Sequence, residues 1–285
     1  MAHLQRDTAV ILSERGEHRS THTARPSEEW AIWGPMGGYL ASIALRAAGD
    51  HCGRARPASI NANFLAVAAF APVAVEVETL RRTRVATCVR VVMRQDDRAV
   101  LEATVWGSDA IDGLEHHTER RGPDVAHHTE LPSFHERLAA QGEEVMHEFW
   151  NRLDYRPTTW TDDWENRDPT EPDQASWYRF PESPRFDEPW LDATRLLIVT
   201  DLDAWGAATN AHSGELAWFA PTIELTCRFL QPAHDDEWLL GWGAAPVGRA
   251  GVIGVASETW SDDGRLLAIG GSTLLCRPAP ERPDR

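Results

Sequence analysis

Asp201 follows an unbroken apolar stretch, Leu196-Leu197-Ile198-Val199, in a segment with helical spacing. A carboxylate placed there lies against a core face. Desolvation raises its pKa toward the range in which a carboxylate works as a general base near neutral pH. Asp203, two residues on, is the rival acid, and a capping or ion-paired role is the ordinary alternative for either. Thr222 opens an alternating run in which Thr222, Glu224, Thr226 and Arg228 share one face and Ile223, Leu225, Cys227 and Phe229 the other. Gly37-Gly38 opens a helix, where free backbone amides and the helix dipole favour developing negative charge such as an oxyanion; close packing of the helix is the competing reason for two glycines. Arg81, Arg82 and Arg84 cluster between two strands, with Arg249 at the equivalent place later in the chain. They suit a phosphate-bearing ligand, or simply form a solvated turn. Ser272 has no GxSxG elbow around it, which argues against an acyl-serine hydrolase.

The elements that must position these residues come in two copies. Phe64-Leu65 corresponds to Phe229-Leu230, Val73 to Leu80 falls on Trp238 to Ala245, and Arg84 falls on Arg249, all at an offset of 165 residues. After one insertion the offset becomes 166, and Asp96-Asp97 matches Asp262-Asp263. At this offset Asp201 corresponds to Met36, so the acid is present in one half alone, as a single site per duplicated chain requires. Leu40, Ile43, Ala44 and Ala47 recur at helical spacing, with Gly49 expected to end that helix. Strands are expected at Ser59 to Leu65, Val73 to Leu80, Thr87 to Gln95 and Val100 to Gly107. The second half repeats the order: a helix from about Ala193 to Asn210, then strands at Thr222 to Leu230, Trp238 to Ala245, Val252 to Trp260 and Leu266 to Cys276. One long helix followed by antiparallel strands with short turns implies a curved sheet wrapping the helix, an α+β unit. Residues 1–110 form the first unit, 111–146 a polar connector and 147–285 the second unit, with Phe149-Trp150 and Trp177-Tyr178 expected as short opening strands. Pseudo-dimers of this kind place function at the seam.

The formal charge of −16, with no lysine, weighs against nucleic acid and anionic membrane as partners. No run approaches the roughly 18 apolar residues of a spanning helix, and charges interrupt Met1 to Glu17 where a signal peptide needs an apolar stretch, so a cytoplasmic protein is expected. Cys52, Cys88, Cys227 and Cys276 are widely spaced with no CxxC pair and read as buried thiols. Trp150, Trp160, Trp164, Trp177 and Trp190 crowd one region and need burial. His116, His117, His127, His128 and His135 lie in or beside the connector, which offers no rigid tetrahedral scaffold, so they read as solvated and no metal site is expected. Asp112 and His117, an Asp-x4-His pair that could do acid–base work at a helix entry, follow the last strand of the unit instead of starting a helix.

Several strings taken together carry a resemblance. Gly37-Gly38-Tyr39-Leu40-Ala41, Asn63-Phe64-Leu65, Val77-Glu78-Thr79-Leu80-Arg81 and Leu114-Glu115-His116-His117 resemble the TesB-like, acyl-CoA thioesterase II type of double hotdog protein. The resemblance covers nearly the whole chain. It implies two tandem hotdog units and hydrolysis of acyl-CoA to free acid and coenzyme A. It also implies an Asp, a Thr and a Gln in the second unit that together activate a water. Asp201 in Val199-Thr200-Asp201-Leu202 and Thr222 in Pro221-Thr222-Ile223-Glu224 match the first two. Ser272, five residues before Arg277, stands where the family has Gln. Serine is too short to orient the same water, so a neighbouring amide must substitute or the chemistry weakens; Asn61 and Asn63, on one strand face, are the candidates. The resemblance makes Arg81 and Arg84 candidates for the phosphates of coenzyme A. No metal or redox cofactor is expected, and a homo-oligomer, a dimer, is. The alternative is a catalytically weak or inactive acyl-CoA binding protein, motivated by the missing glutamine.

Overall fold

The computed structural model describes residues 3–279 except 164, 165, 183, 215 and 216; Trp164 therefore lies outside the described residues. The N-terminal unit begins with a helical turn, α1 (Leu4–Asp7), and a hairpin, β1 (Ile11–Arg15) and β2 (Arg19–Ala24). The long helix α2 (Gly37–Cys52) follows, then β3 (Arg56–Phe64), β4 (Val73–Arg82), β5 (Ala86–Gln95) and β6 (Arg98–Ser108). The connector carries a short helix, α3 (Phe134–Gln141), closed by a Ser133–Glu136 capping box. The C-terminal unit contains β7 (Asp154–Pro157), β8 (Asp173–Arg179), α4 (Pro189–Asn210), β9 (Trp218–Phe219), β10 (Thr222–Phe229), β11 (Trp238–Arg249), β12 (Val252–Ser261), β13 (Leu266–Leu275) and β14 (Arg277–Pro278). Phe149 and Trp150, expected in a strand, lie instead in a 3₁₀ turn, Glu148–Arg152.

Among the described residues one antiparallel sheet of 12 strands runs β1-β2-β4-β5-β6-β3-β10-β13-β12-β11-β8-β7. The two halves join where β3 pairs with β10, Asn63 opposite Glu224 and Ser59 opposite Arg228. Ile60 and Ala62 on β3, and Leu225 and Cys227 on β10, point inward to the core that holds both helices. This is the double hotdog: one curved sheet wrapped around two central helices.

The helices pack antiparallel with small residues at the contact. Gly38 faces Ile198, the Ser42 hydroxyl reaches the Thr194 carbonyl, and Gly49 faces Trp190. A Cβ on Gly38 would stand 2.9 Å from Ile198 Cα, and one on Gly49 would stand 2.6 Å from Trp190 Cδ2. Gly49 thus serves packing and does not end the helix. The stop is Gly53, whose φ of 60° is the left-handed cap conformation that glycine adopts without strain. Because α4 ends at Asn210 and α2 at Cys52, the helix ends differ by 158 residues, not 165. The equivalence of Asp201 with Met36 therefore does not hold in space. The chain between α4 and β10, which carries β9, is longer than the three residues between α2 and β3 and absorbs the difference.

At the other end of α4, the fully buried Arg195 guanidinium pairs with Asp192 and donates to the carbonyls of Pro184, Ala233 and Asp236. Asp192 also accepts the Ala233 amide at 2.9 Å. This network pins the helix that carries Asp201 to the Gln231–Asp236 loop. The four cysteines are free, and three of them are buried.

Candidate active site

The N-terminus of α2 abuts the middle of α4, and Asp201 stands at that junction. Asp201 Oδ2 accepts the Gly38 N–H at 2.9 Å, and Oδ1 accepts the Thr222 hydroxyl at 3.0 Å. Burial pushes the Asp201 carboxyl up to about 6, against the opposing pull of these two hydrogen bonds. The dipole of α2 also favours the anion. The result is a carboxylate that is fixed at both oxygens and ionised at neutral pH, yet basic enough to take a proton. Gly38 meets the packing reading, since its missing side chain lets the helices touch, while its amide holds the acid instead of a developing oxyanion. Its N–H is committed to Asp201, so it is not the oxyanion donor. Gly37 N–H, among the described residues, has no hydrogen-bond partner.

Gly37 is required for a separate reason. A Cβ there would lie 2.8 Å from Asp201 Oδ2 and 3.2 Å from Phe64 Cζ. Gly37→Ala is expected to displace the carboxylate and lower turnover by ~10- to 100-fold while leaving the fold intact, since misplacement of a reacting group by about 1 Å costs that order. Steady-state kinetics beside a thermal melt checks this.

Thr222 reaches Asp201 because β10 does not alternate cleanly. Its pairing with β13 shifts between Thr222, opposite Leu274, and Glu224, opposite Thr273. This bulge puts Thr222 on the inner side while Glu224 stays outside, correcting the expectation that the two share a face. Glu224 accepts from Asn61 Nδ2 at 2.7 Å and from Thr273 Oγ1 at 3.2 Å, and Asn63 donates to Asn61 at 3.2 Å. Asn61 and Asn63 do share a face, but it is the outer one, across the sheet from Asp201. They cannot replace the family's glutamine. Ser272 is 4% exposed, its hydroxyl has no partner among the described residues, and it lies outside the cavity wall. The structure therefore unites Asp201, Thr222, Gly37 and Gly38, and leaves Ser272, Asn61 and Asn63 apart.

Asp203 is also raised by burial, to about 7, but its setting differs. It is 2% exposed, accepts the Tyr178 hydroxyl at 2.7 Å, and is sealed under Gly241 and Gly243, away from the cavity. Arg81 and Arg84 sit on the β4–β5 hairpin, where Arg82 touches the Cys52 carbonyl at the far end of α2. That end is about 24 Å along the helix from Gly37. A phosphate held there would belong to a different region of the molecule.

Asp201 opens onto a cavity of about 1420 Å³ lined by both units and the connector. Trp33, Phe134, Trp150, Tyr155, Trp160 and Trp205 give it an aromatic wall. Of the expected tryptophan cluster, Trp177 and Trp190 are buried outright, while Trp150 and Trp160 are half-buried and line this space. Arg98 and Arg277 also line it, and both are largely exposed. Neither could be singled out from sequence, since each belongs to the site through tertiary placement alone.

Residues 26–108 match the acyl-CoA thioesterase N-terminal domain, and residues 123–272 match the acyl-CoA thioesterase C-terminal domain. The chain belongs to the acyl-CoA thioesterase family. No curated protein matches it. Among solved structures, a hotdog-fold protein from Alicyclobacillus acidocaldarius superimposes with a TM-score of 0.77 at 22% identity, covering 98% of this chain and 100% of that one. The acyl-CoA thioesterase II TesB2 of Mycobacterium marinum gives 0.75 at 19% identity, with 98% and 99% coverage. The tesB protein of Mycobacterium avium subsp. paratuberculosis gives 0.72 at 19%, with 96% and 98%. These likenesses establish the fold, and the family match carries the acyl-CoA thioesterase assignment. No described helix is long and apolar enough to cross a membrane.

Proposed function

We propose that this family member hydrolyses acyl-CoA by general-base attack of water, with Asp201 as the base. The observation that carries this is the Asp201 carboxylate, held by Thr222 and Gly38 at the wall of a cavity large enough for a thioester. Asp201 takes a proton as a water oxygen bonds to the thioester carbon. The carbonyl oxygen gains the electron pair and meets the Gly37 N–H at the positive end of α2. Collapse of the tetrahedral species breaks the carbon–sulfur bond, and the proton on Asp201 passes to the departing coenzyme A sulfur. Thr222 keeps the carboxylate in register and serves as a second ligand to the water. The products are a free acid and coenzyme A, with no cofactor beyond the substrate's own coenzyme A.

Ordinary small-molecule pockets run to about 300–1,000 Å³, and this cavity exceeds that range, which suits an acyl chain together with the pantetheine arm. Arg98 and Arg277, which have no acidic partner among the described residues, are the proposed phosphate contacts in place of Arg81 and Arg84. We place the enzyme in the cytoplasm, as a homo-oligomer that covers the exposed edge strand β1.

Following coenzyme A release from short, medium and long acyl-CoAs tests the reading. Turnover on any member supports it. Binding of every member with no release makes the chain an acyl-CoA binding protein, the outcome that the loss of the glutamine at position 272 would produce.

The pH profile is a further check. The working form of Asp201 is ionised, and its pKa is raised to about 6. kcat/KM should be flat above about pH 7 and fall tenfold per pH unit below about pH 6, as protonation removes the base. Because Asp203 titrates near the same range, Asp203→Asn should leave this limb in place, and a limb that vanishes in that variant assigns it to the wrong acid.

A further inference from the structure

The connector does not drift in solvent at its centre. It packs on the outer face of the C-terminal sheet, where Val125 and Leu131 cover Ala175, Trp177, Leu240 and Trp260. The Trp177 indole donates to the Ala126 carbonyl at 3.0 Å, Arg120 pairs with Glu258, and Gly122 lies against the Trp260 ring. This packing brings two consecutive histidines against the β12–β13 turn. His127 Nε2 is 2.8 Å from Asp262 Oδ1, and His128 Nε2 is 3.5 Å from Asp262 Oδ2. All three ligand-type atoms lie within 4.8 Å of one another.

His128 supplies the second observation. It is 8% exposed, stacks on Trp238 with ring centroids 4.2 Å apart, and meets Trp177 edge-on at 5.2 Å. Its Nε2 is buried and makes no well-formed hydrogen bond among the described residues; it is directed at the carboxylate, 3.5 Å from Asp262 Oδ2. A buried, aromatic-clamped imidazole nitrogen held only at 3.5 Å from a carboxylate, with a second imidazole on the same carboxylate, is the donor set of a two-His-one-carboxylate site. Ligands around a tetrahedral zinc ion stand about 3.4 Å apart, close to the separations seen here. His127 Nδ1 faces away from the cluster, 2.8 Å from Thr129 Oγ1 and 3.4 Å from the Thr129 N–H that it caps, so Nε2 is the nitrogen turned toward Asp262.

We propose that His127, His128 and Asp262 bind a divalent transition-metal ion, with water completing the coordination. The sheet separates this site from Asp201, so the ion takes no part in thioester chemistry. It staples the connector to the β12–β13 turn. The same connector supplies Phe134 and, farther on, Met146 to the cavity wall, so the ion stiffens that wall from outside.

The test is calorimetric titration of the metal-stripped full chain with zinc ion alone, beside its thermal melt. One saturable equivalent is expected, with Tm raised by roughly 5–10 °C once zinc exceeds Kd about 100-fold. Asp262→Asn and His127→Gln should each weaken binding at least 100-fold and abolish the Tm rise. Both positions are substantially exposed, and the metal-free melts of the variants should match that of the parent. Absence of a saturable equivalent, or binding that survives in both variants, overturns the site.

Discussion

Asp201→Asn is expected to lower kcat by ~10²- to 10⁴-fold, the range that a positioned general base supplies, while acyl-CoA binding changes little. Asparagine keeps the size of the side chain and can still accept from Thr222 through its amide oxygen, but it cannot take a proton. Its amide would face the Gly38 N–H across the 2.9 Å that the carboxylate now spans, so the α2–α4 junction should relax slightly. Thr222→Val, which removes the other hydrogen bond and keeps the β-branched shape, should have a smaller effect and should raise the apparent pKa of the acidic limb, because that bond lowers the Asp201 pKa. Equal turnover in the Asp201 variant and the parent would mean that the base lies elsewhere.

The largest stability loss is expected at Arg195. Its guanidinium is fully buried and meets Asp192 together with three backbone carbonyls. Removing one partner of a buried ion pair leaves the other charge desolvated, at a cost of about 3–5 kcal/mol. Arg195→Met strands Asp192, which is 3% exposed, and frees the carbonyls of Pro184, Ala233 and Asp236. A fall in Tm of roughly 6–20 °C follows for a chain of this size. Joining Asp192→Asn to Arg195→Met should cost less than the sum of the two single changes, since the second removes the charge that the first leaves unpaired. Additive losses would show that the pair is not coupled.

Where side chains alternate cleanly, the strands could be read directly. Val73, Val75 and Val77 against Glu76 and Glu78 gave β4, and the turn at Asp262-Asp263 lies where expected, between β12 and β13. The N-terminal hairpin went unread because β1 is exposed along its whole length and Arg19–Ala24 is a mostly polar run with no apolar period. Gly49 looked like a stop because only the antiparallel neighbour α4, with Trp190, explains a glycine inside the helix. Asp201 and Thr222 were readable as site residues, the first from its place after an apolar run and both from the resemblance. The face of Thr222 was not, since a bulge shifts register in a way that no single-strand pattern shows.

The misplaced residues share one cause. Arg81 and Arg84, and Asn61 and Asn63, were chosen by strand position, and each pair is displaced from the cavity by three-dimensional facts: the length of α2 in one case, the outer face of the sheet in the other. Arg98 and Arg277 had no sequence signal, and His127 and His128 were set aside as metal ligands because Asp262 lies far along the chain. The two histidines looked solvated until the connector was seen to dock on the sheet.

The central claim is that water, activated by Asp201, attacks the thioester directly. A single turnover with enzyme in excess over acyl-CoA, run in ¹⁸O-labelled water and read by mass spectrometry of the released acid, tests it most directly. One labelled oxygen in the carboxylate of the product acid is the predicted result. Unlabelled acid would mean that a protein carboxylate supplied the oxygen through an acyl-enzyme, and intact acyl-CoA recovered from the complex would mean that the chain binds its ligand without cleaving it.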